Sequence, residues 1–143
     1  MTASLVTTAR VSAVAIVTLN RPERRNALSR ELADQLTDRL AEVVADGARA
    51  IVLAAAGPVF SAGGDLEDLM SVVAEGAEAT SAAVYRHFHG LVRALRSCPV
   101  PIRCGLLTVR RMSLTARRLA TYRRVALSVT RTRGRGSATA RSG

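Results

Sequence analysis

One loop of this chain has the composition of a site that could stabilise a negatively charged oxygen. It runs from Phe60 to Leu66 with the sequence Phe-Ser-Ala-Gly-Gly-Asp-Leu, between a strand-like and a helix-like segment. Consecutive glycines allow a ligand to approach the backbone closely, because no Cβ intervenes. Unpaired N–H groups at a helix N-terminus carry partial positive charge. The loop therefore predicts an oxyanion-binding site, although a Gly-Gly turn without a ligand is the alternative that the loop alone leaves open.

The segments around this loop alternate between strand and helix patterns. Val11–Leu19 and Arg49–Ala56 are apolar on both faces, which is typical of buried strands, and Leu5–Thr8 predicts a shorter, more exposed first strand. A helix is predicted from the N-cap Ser29 to the stop signal Gly47, with apolar residues at spacings of three and four. This order predicts an α/β layered fold.

The part of the chain after the loop predicts a second helix. Residues 74–80 are small and acidic, and we expect a mobile surface segment there. The helix that follows ends before Pro99 and Pro101. Its apolar stripe consists of Val84, Phe88, Leu91 and Leu95.

Two motifs together resemble the enoyl-CoA hydratase/isomerase (crotonase) family. The first, from Val17 to Ser29, reads Val-Thr-Leu-Asn-Arg-Pro-Glu-Arg-Arg-Asn-Ala-Leu-Ser, and the second is the Phe60–Leu66 loop. Their order and separation match the family, and Cys98-Pro-Val-Pro101 resembles the segment before the family's next strand. The resemblance covers about residues 3–102, which is less than half of a usual family member. It implies part of the crotonase β-β-α spiral fold, and assembly into trimers or hexamers.

The resemblance also implies roles for individual residues. The backbone N–H of Gly64 matches the first of two oxyanion-hole donors for an acyl-CoA thioester carbonyl. Coenzyme A enters as part of the substrate, so no separate cofactor is implied. Glu67 stands where several relatives have Lys, and Asp65 suits a helix N-cap better than a catalytic base. The implied substrate-binding residues are Arg24, Arg25, Ala27, Ala62, Gly63, Asp65 and Leu66; solvated arginines are the alternative for Arg24 and Arg25.

The remaining hydratase machinery is missing from the sequence. After Pro101 we expect neither the family's apolar strand nor its Gly-rich loop, which gives the second oxyanion donor. Hydration of a 2-enoyl-CoA, a reaction of fatty-acid metabolism, also needs two glutamates as an acid/base pair. The last acidic residue of the chain is Glu78. The prediction is a truncated or degenerate family member that is inactive alone.

The charge distribution divides the chain in two. All 21 basic residues are Arg, and the formal net charge is +10. Residues 1–102 hold 10 Arg against 11 acidic residues, whereas residues 103–143 hold 11 Arg and no acidic residue. We therefore predict a partial acyl-CoA-binding domain over residues 1–102 and a separate Arg-rich tail over residues 103–143.

Three explanations of the tail stay open. A frameshift in GC-rich coding DNA would produce Arg, Ala, Gly, Ser and Thr with few acids. A genuine arm would bind nucleic acid or anionic surfaces weakly and without sequence specificity, although Tyr122 is its one aromatic residue. Plain disorder without a partner is the third explanation.

Other features exclude several classes of protein. No apolar run approaches the roughly 18 residues of a membrane-spanning helix. Cys98 and Cys104 give neither a disulfide framework nor a zinc pattern. His87 and His89 lie two residues apart and point to different faces of a helix, so no shared metal is predicted. Without a cleavage site after Leu19, we expect a cytoplasmic protein.

Overall fold

The computed structural model describes residues 4–109 of the chain, with side chains as far as Cys104. Its first element is an antiparallel hairpin of β1 (Val6–Val11) and β2 (Val14–Leu19). The prediction of a continuous strand from Val11 to Leu19 is wrong, because the chain turns at Ser12, whose φ is 55°. No glycine or proline marks this turn, so the sequence did not reveal it. The predicted short strand Leu5–Thr8 is the first part of β1.

The chain continues from β2 into α1 (Arg30–Ala45) and then into β3 (Ala50–Ala56), which pairs with β2 in parallel. Ser29 is the N-cap of α1, and its Oγ accepts a 3.3 Å hydrogen bond from Leu32 N. Gly47 follows the helix with φ 78°, a left-handed conformation that suits glycine. The predicted helix, its cap and its stop signal are all confirmed.

Within the described residues, three further helices and one π-helical turn follow β3. They are α2 (Leu66–Val73), α3 (Ala77–Ala83), the π-helical turn Val84–His89 and α4 (Gly90–Arg96). Residues 74–80 lie at the surface, as predicted, but the second half of the segment is helical because α3 begins at Ala77. The mobility of this segment stays a prediction. Alanine is the strongest helix former, and Glu78 is favourable in the first turn of a helix, so the composition of this segment supports a helix. The predicted stripe is confirmed for three of its four residues: Leu91 is buried, and Phe88 and Leu95 pack against the core. Val84 is half-buried and does not belong to this core.

The fourth strand, β4 (Ile102–Val109), pairs in parallel with β3, so the sheet order is β1-β2-β3-β4. The expectation that no strand follows Pro101 is wrong. β4 contains residues on both sides of the composition change after Ile102, and the division of the chain at that point stays a prediction. Residues 110–143, to which most of the predicted Arg-rich tail belongs, lie outside the described residues.

The two central strands, β2 and β3, are buried on both faces. On one face, Ile51, Leu53 and Ala55 of β3 join the main core with α1 and Leu91. Alternate residues of a strand point to opposite faces, and Ala50, Val52 and Ala54 form a second buried cluster with residues of β2. This double burial explains why β2 and β3 are continuously apolar, and it confirms the mixed α/β class.

Candidate functional site

The two motifs that the sequence analysis singled out fold together as one unit. Leu28 N donates a 2.8 Å hydrogen bond to Gly63 O, and Asp65 N donates a 3.0 Å hydrogen bond to Leu28 O. A third bond, 3.0 Å long, runs from Ala62 N to Arg25 O. The loop after β3 is thereby held against the segment before α1, although more than 30 residues separate them in sequence.

The Gly64 N–H is available to a ligand. Gly63 has φ 93°, a conformation that places the next peptide group where few other residues could. Gly64 N donates no hydrogen bond to any group of residues 4–104. A Cβ at Gly64 would meet no atom within 4 Å, so the space around this residue is open.

A cavity of about 190 Å³ is lined in part by Gly64. Its other walls come from the start of α1, from α2 and its N-cap, from α3 and from the π-helical turn, and they are mostly apolar. An apolar cavity beside a single free N–H can hold a hydrocarbon chain that ends in a polar group. The lining residues are Arg30, Gly64, Asp65, Asp68, Leu69, Val72, Thr80, Ala83, Val84 and Phe88.

Asp65 is an N-cap, as predicted. Its carboxylate accepts hydrogen bonds from Glu67 N (3.0 Å) and Asp68 N (3.3 Å), and it forms a 2.5 Å ion pair with Arg21. Burial alone would raise the pKa of Asp65, but the bonds from Arg21 and from these two backbone N–H groups outweigh it and lower the pKa. Asp65 is therefore an ionised group with a structural role: it holds the start of α2 and the segment before α1 together.

Three ion pairs connect residues 21–30 to the first turn of α2. They are Arg21–Asp65, Arg24–Glu67 and Arg30–Asp68. Sequence reasoning did not find Arg21 and Arg30, since nothing local in the sequence pairs residues about 40 positions apart. The available signal was the presence of opposite charges in and directly after the two motifs that resemble the family.

The other predicted binding residues lie around this unit. Arg24 and Arg25 are both exposed, and Arg25 forms no ion pair with any side chain of residues 4–104. Ala27 is half-buried between them and the loop. Ala62 and Leu66 are exposed and do not belong to the cavity lining, whereas Gly64 and Asp65 do.

Asn26 is a further residue of the site that sequence reasoning missed. It is fully buried with φ 52°, and its Nδ2 donates to Ala56 O (2.9 Å) and Val59 O (2.8 Å). Its Oδ1 accepts from Arg21 N at 2.9 Å. Asparagine adopts a left-handed conformation more readily than most residues, so one side chain fixes the turn and anchors it to the end of β3.

Comparison of the sequence with known proteins identifies the family of the chain. A sequence model of the enoyl-CoA hydratase/isomerase family matches residues 9–103. The chain belongs to the enoyl-CoA hydratase/isomerase family. It is similar to 1,2-epoxyphenylacetyl-CoA isomerase of Escherichia coli, with 37% identity over 94 residues, which are 65% of this chain and 36% of that protein.

Solved structures of enoyl-CoA hydratase/isomerase proteins have the same fold. An enoyl-CoA hydratase/isomerase from Xanthobacter autotrophicus superposes with a TM-score of 0.66 at 30% identity, over 73% of this chain and 39% of that one. AtuE of Pseudomonas aeruginosa gives 0.65 at 34% identity, over 71% of this chain and 39% of that one. The predicted crotonase-type α/β fold is confirmed. The chain spans about a third of the length of the curated relatives that it matches.

The described part of the chain contains neither a metal cluster nor a membrane-spanning helix. Residues 4–104 contain no group of three His, Cys, Asp or Glu side chains that could hold a metal ion. His87 contacts Asp34 at 2.7 Å instead. No described helix has the length and apolar character needed to cross a membrane.

Proposed function

We propose that the chain binds an acyl-CoA thioester, with the Gly64 N–H donating a hydrogen bond to the thioester carbonyl oxygen. The single observation that carries this proposal is that Gly64, whose N–H is unpaired among the described residues, lines the apolar cavity. The acyl chain would enter the cavity, and the coenzyme A portion would extend past Arg24 and Arg25. Membership of a family that processes acyl-CoA substrates supports the assignment.

The chemistry of the intact family is stabilisation of a thioester enolate, and we propose hydration of a 2-enoyl-CoA in cytoplasmic fatty-acid metabolism for a complete enzyme of this kind. Charge that develops on the carbonyl oxygen is stabilised by preorganised N–H donors, and each is worth roughly a hundredfold to a thousandfold in rate. Gly64 supplies one donor. For the complete enzyme we also propose a second N–H donor and assembly into trimers or hexamers.

We propose that this chain alone binds without catalysing hydration. Hydration needs one carboxylate to activate water and another group to protonate the α-carbon. Two carboxylates line the cavity, but Asp65 is engaged by Arg21 and Asp68 by Arg30. No acidic residue follows Glu78 in the sequence.

Binding of butyryl-CoA labelled with ¹³C at the thioester carbonyl tests the assignment of Gly64. Gly64→Pro removes the N–H, whereas Gly64→Ala keeps it and adds a Cβ into open space. We expect the carbonyl stretch to shift to lower frequency on the wild type and on Gly64→Ala, but not on Gly64→Pro. Losing this hydrogen bond should weaken binding roughly three- to tenfold. Equal spectra for all three proteins would overturn the proposal.

A second candidate function is binding of nucleic acid or another polyanion through residues 103–143. The observation that favours it is the composition of this segment, with 11 Arg and no acidic residue. Such binding would weaken steeply with salt, by nearly one unit of log–log slope for each phosphate neutralised. Thioester binding that survives high salt would separate the first function from the second.

A further inference from the structure

The most exposed of the three ion pairs beside the loop joins Arg24 to Glu67. Their side chains are 49% and 73% exposed, against 17% and 7% for Arg21 and Asp65. Arg24 is one of the two arginines proposed to meet the phosphates of an acyl-CoA. In the free protein its guanidinium already has a carboxylate partner, so a phosphate group must compete for it.

The surroundings of Arg24 carry little net charge. Residues 21–30 contain four arginines, and four carboxylates lie in the same region: Glu23, Asp65, Glu67 and Asp68. The hydrogen bond and charge of Glu67, followed by the charges of Asp65 and Glu23, raise the pKa of Arg24. Arg24 is therefore always a cation, but a dianionic phosphate that approaches it also meets these carboxylates.

We propose that Glu67 is a specificity-determining residue that occupies Arg24 and thereby weakens binding of the nucleotide half of an acyl-CoA relative to its pantetheine half. The inference rests on the proposed function. An ion pair this exposed is weak, so a phosphate can displace Glu67, and the size of the effect is limited to about two- to fivefold. The same exposure makes the effect sensitive to salt.

The test compares two ligands that differ in their phosphates. Butyryl-CoA carries the diphosphate and the 3′-phosphate, whereas S-butyryl-pantetheine carries neither. In the full chain, Glu67→Gln should tighten butyryl-CoA binding about two- to fivefold at low salt and leave S-butyryl-pantetheine binding unchanged. This gain in butyryl-CoA affinity should disappear at high salt. It should also be absent when the double variant Arg24→Gln/Glu67→Gln is compared with Arg24→Gln.

Glu42→Gln is the matched control. Glu42 forms a similarly exposed ion pair with Arg39 on α1, 2.5 Å long, away from the loop. This variant removes the same charge from the protein, so it reports any general effect of net charge on an anionic ligand. We expect it to change the affinity for butyryl-CoA by less than Glu67→Gln does.

Each other outcome has a distinct meaning. If Glu67→Gln changes the affinity for neither ligand, or changes both affinities equally, Glu67 does not determine specificity and the inference is overturned. The proposed function would still stand in that case, provided that S-butyryl-pantetheine binds the wild type. If neither ligand binds the wild type or the variant, the proposed function itself fails, together with the inference.

Discussion

Asp65 and Arg21 form a 2.5 Å ion pair that connects the residue after Gly64 to the segment before α1. The same carboxylate caps α2, so one side chain fixes both the helix and the loop that leads into it. The orientation of the Gly64 N–H therefore depends on an ionised Asp65. A group with this role should make the stability of the fold depend on pH.

Stability should fall in acid because Asp65 has a lower pKa in the folded protein than the ordinary value of 3.8. A carboxylate whose pKa is lower in the folded than in the unfolded protein stabilises the fold. This stabilisation is fully present above the pKa of the unfolded state and is lost as the pH falls through the pKa of the folded state. Asp65→Asn should therefore lower the free energy of unfolding by about 1–3 kcal/mol at pH 7, with the difference shrinking below pH 3.8. Urea unfolding from pH 7 to pH 2.5 measures this.

The matched control for this prediction is Asp38→Asn, which changes an exposed carboxylate on α1. We expect the stability of this variant to follow that of the wild type across the same pH range. A constant difference between Asp65→Asn and the wild type at every pH would contradict the role of the ionised carboxylate.

Local sequence patterns were sufficient to predict the helix caps, the two central strands and the loop. Ser29 and Asp65 were both predicted as N-caps, because a side-chain oxygen before a helix satisfies nearby backbone N–H groups. The continuous apolar runs predicted β2 and β3, although the turn at Ser12 was missed. The Gly-Gly motif predicted the loop, and the family resemblance predicted its role.

Contacts between distant segments could not be predicted in the same way. Asn26 lies in a polar stretch that shows no sign of complete burial, and its acceptors follow it by 30 and 33 positions. The Arg24–Glu67 pair likewise depends on the folded loop. β4 was missed because it contains an arginine and a glycine, which are not typical of a buried strand. The strand forms because it pairs in parallel with β3, a contact that the local sequence does not show.

Asn26→Ala should destabilise the protein strongly. The substitution leaves the carbonyl oxygens of Ala56 and Val59 without their side-chain donor and forces alanine into a left-handed conformation. We expect a loss of about 2–4 kcal/mol in the free energy of unfolding. Asn20→Ala removes a more exposed hydrogen bond to Ser4 O and should cost less than about 1 kcal/mol. Similar losses for the two variants in urea unfolding would show that burial of Asn26 does not matter.

Gly57 should tolerate alanine less well than Gly47. Both have positive φ, 83° and 78°, so the backbone strain of the substitution is similar. A Cβ at Gly57 would lie 2.9 Å from the Cβ of Pro22, whereas one at Gly47 meets nothing within 4 Å. Gly47→Ala should cost about 1–2 kcal/mol from strain alone, and Gly57→Ala more. Thermal unfolding of both variants makes the comparison, and equal costs would exclude a close approach at Pro22.

The coding DNA after Cys98 should contain, in another reading frame, an apolar strand, a Gly-rich loop and two glutamates. This is expected because the composition changes abruptly inside a recognisable family sequence. Resequencing this region and translating all three frames is the measurement. If no frame encodes these features, the Arg-rich segment is a genuine product of the gene, and polyanion binding becomes the leading function to test.

Ending the chain after Ile102 should produce an aggregation-prone fragment. β4 pairs with β3 from Ile102 to Val109, so this truncation removes most of β4 and leaves the apolar edge of β3 without a partner. An unpaired apolar strand edge recruits strands from other molecules. Fragment 1–109, which keeps β4, should therefore be more soluble than fragment 1–102 when the two are compared at equal concentration by light scattering and sedimentation velocity. A monomeric fragment 1–102 that melts cooperatively would show that β4 is dispensable for folding of the preceding layers.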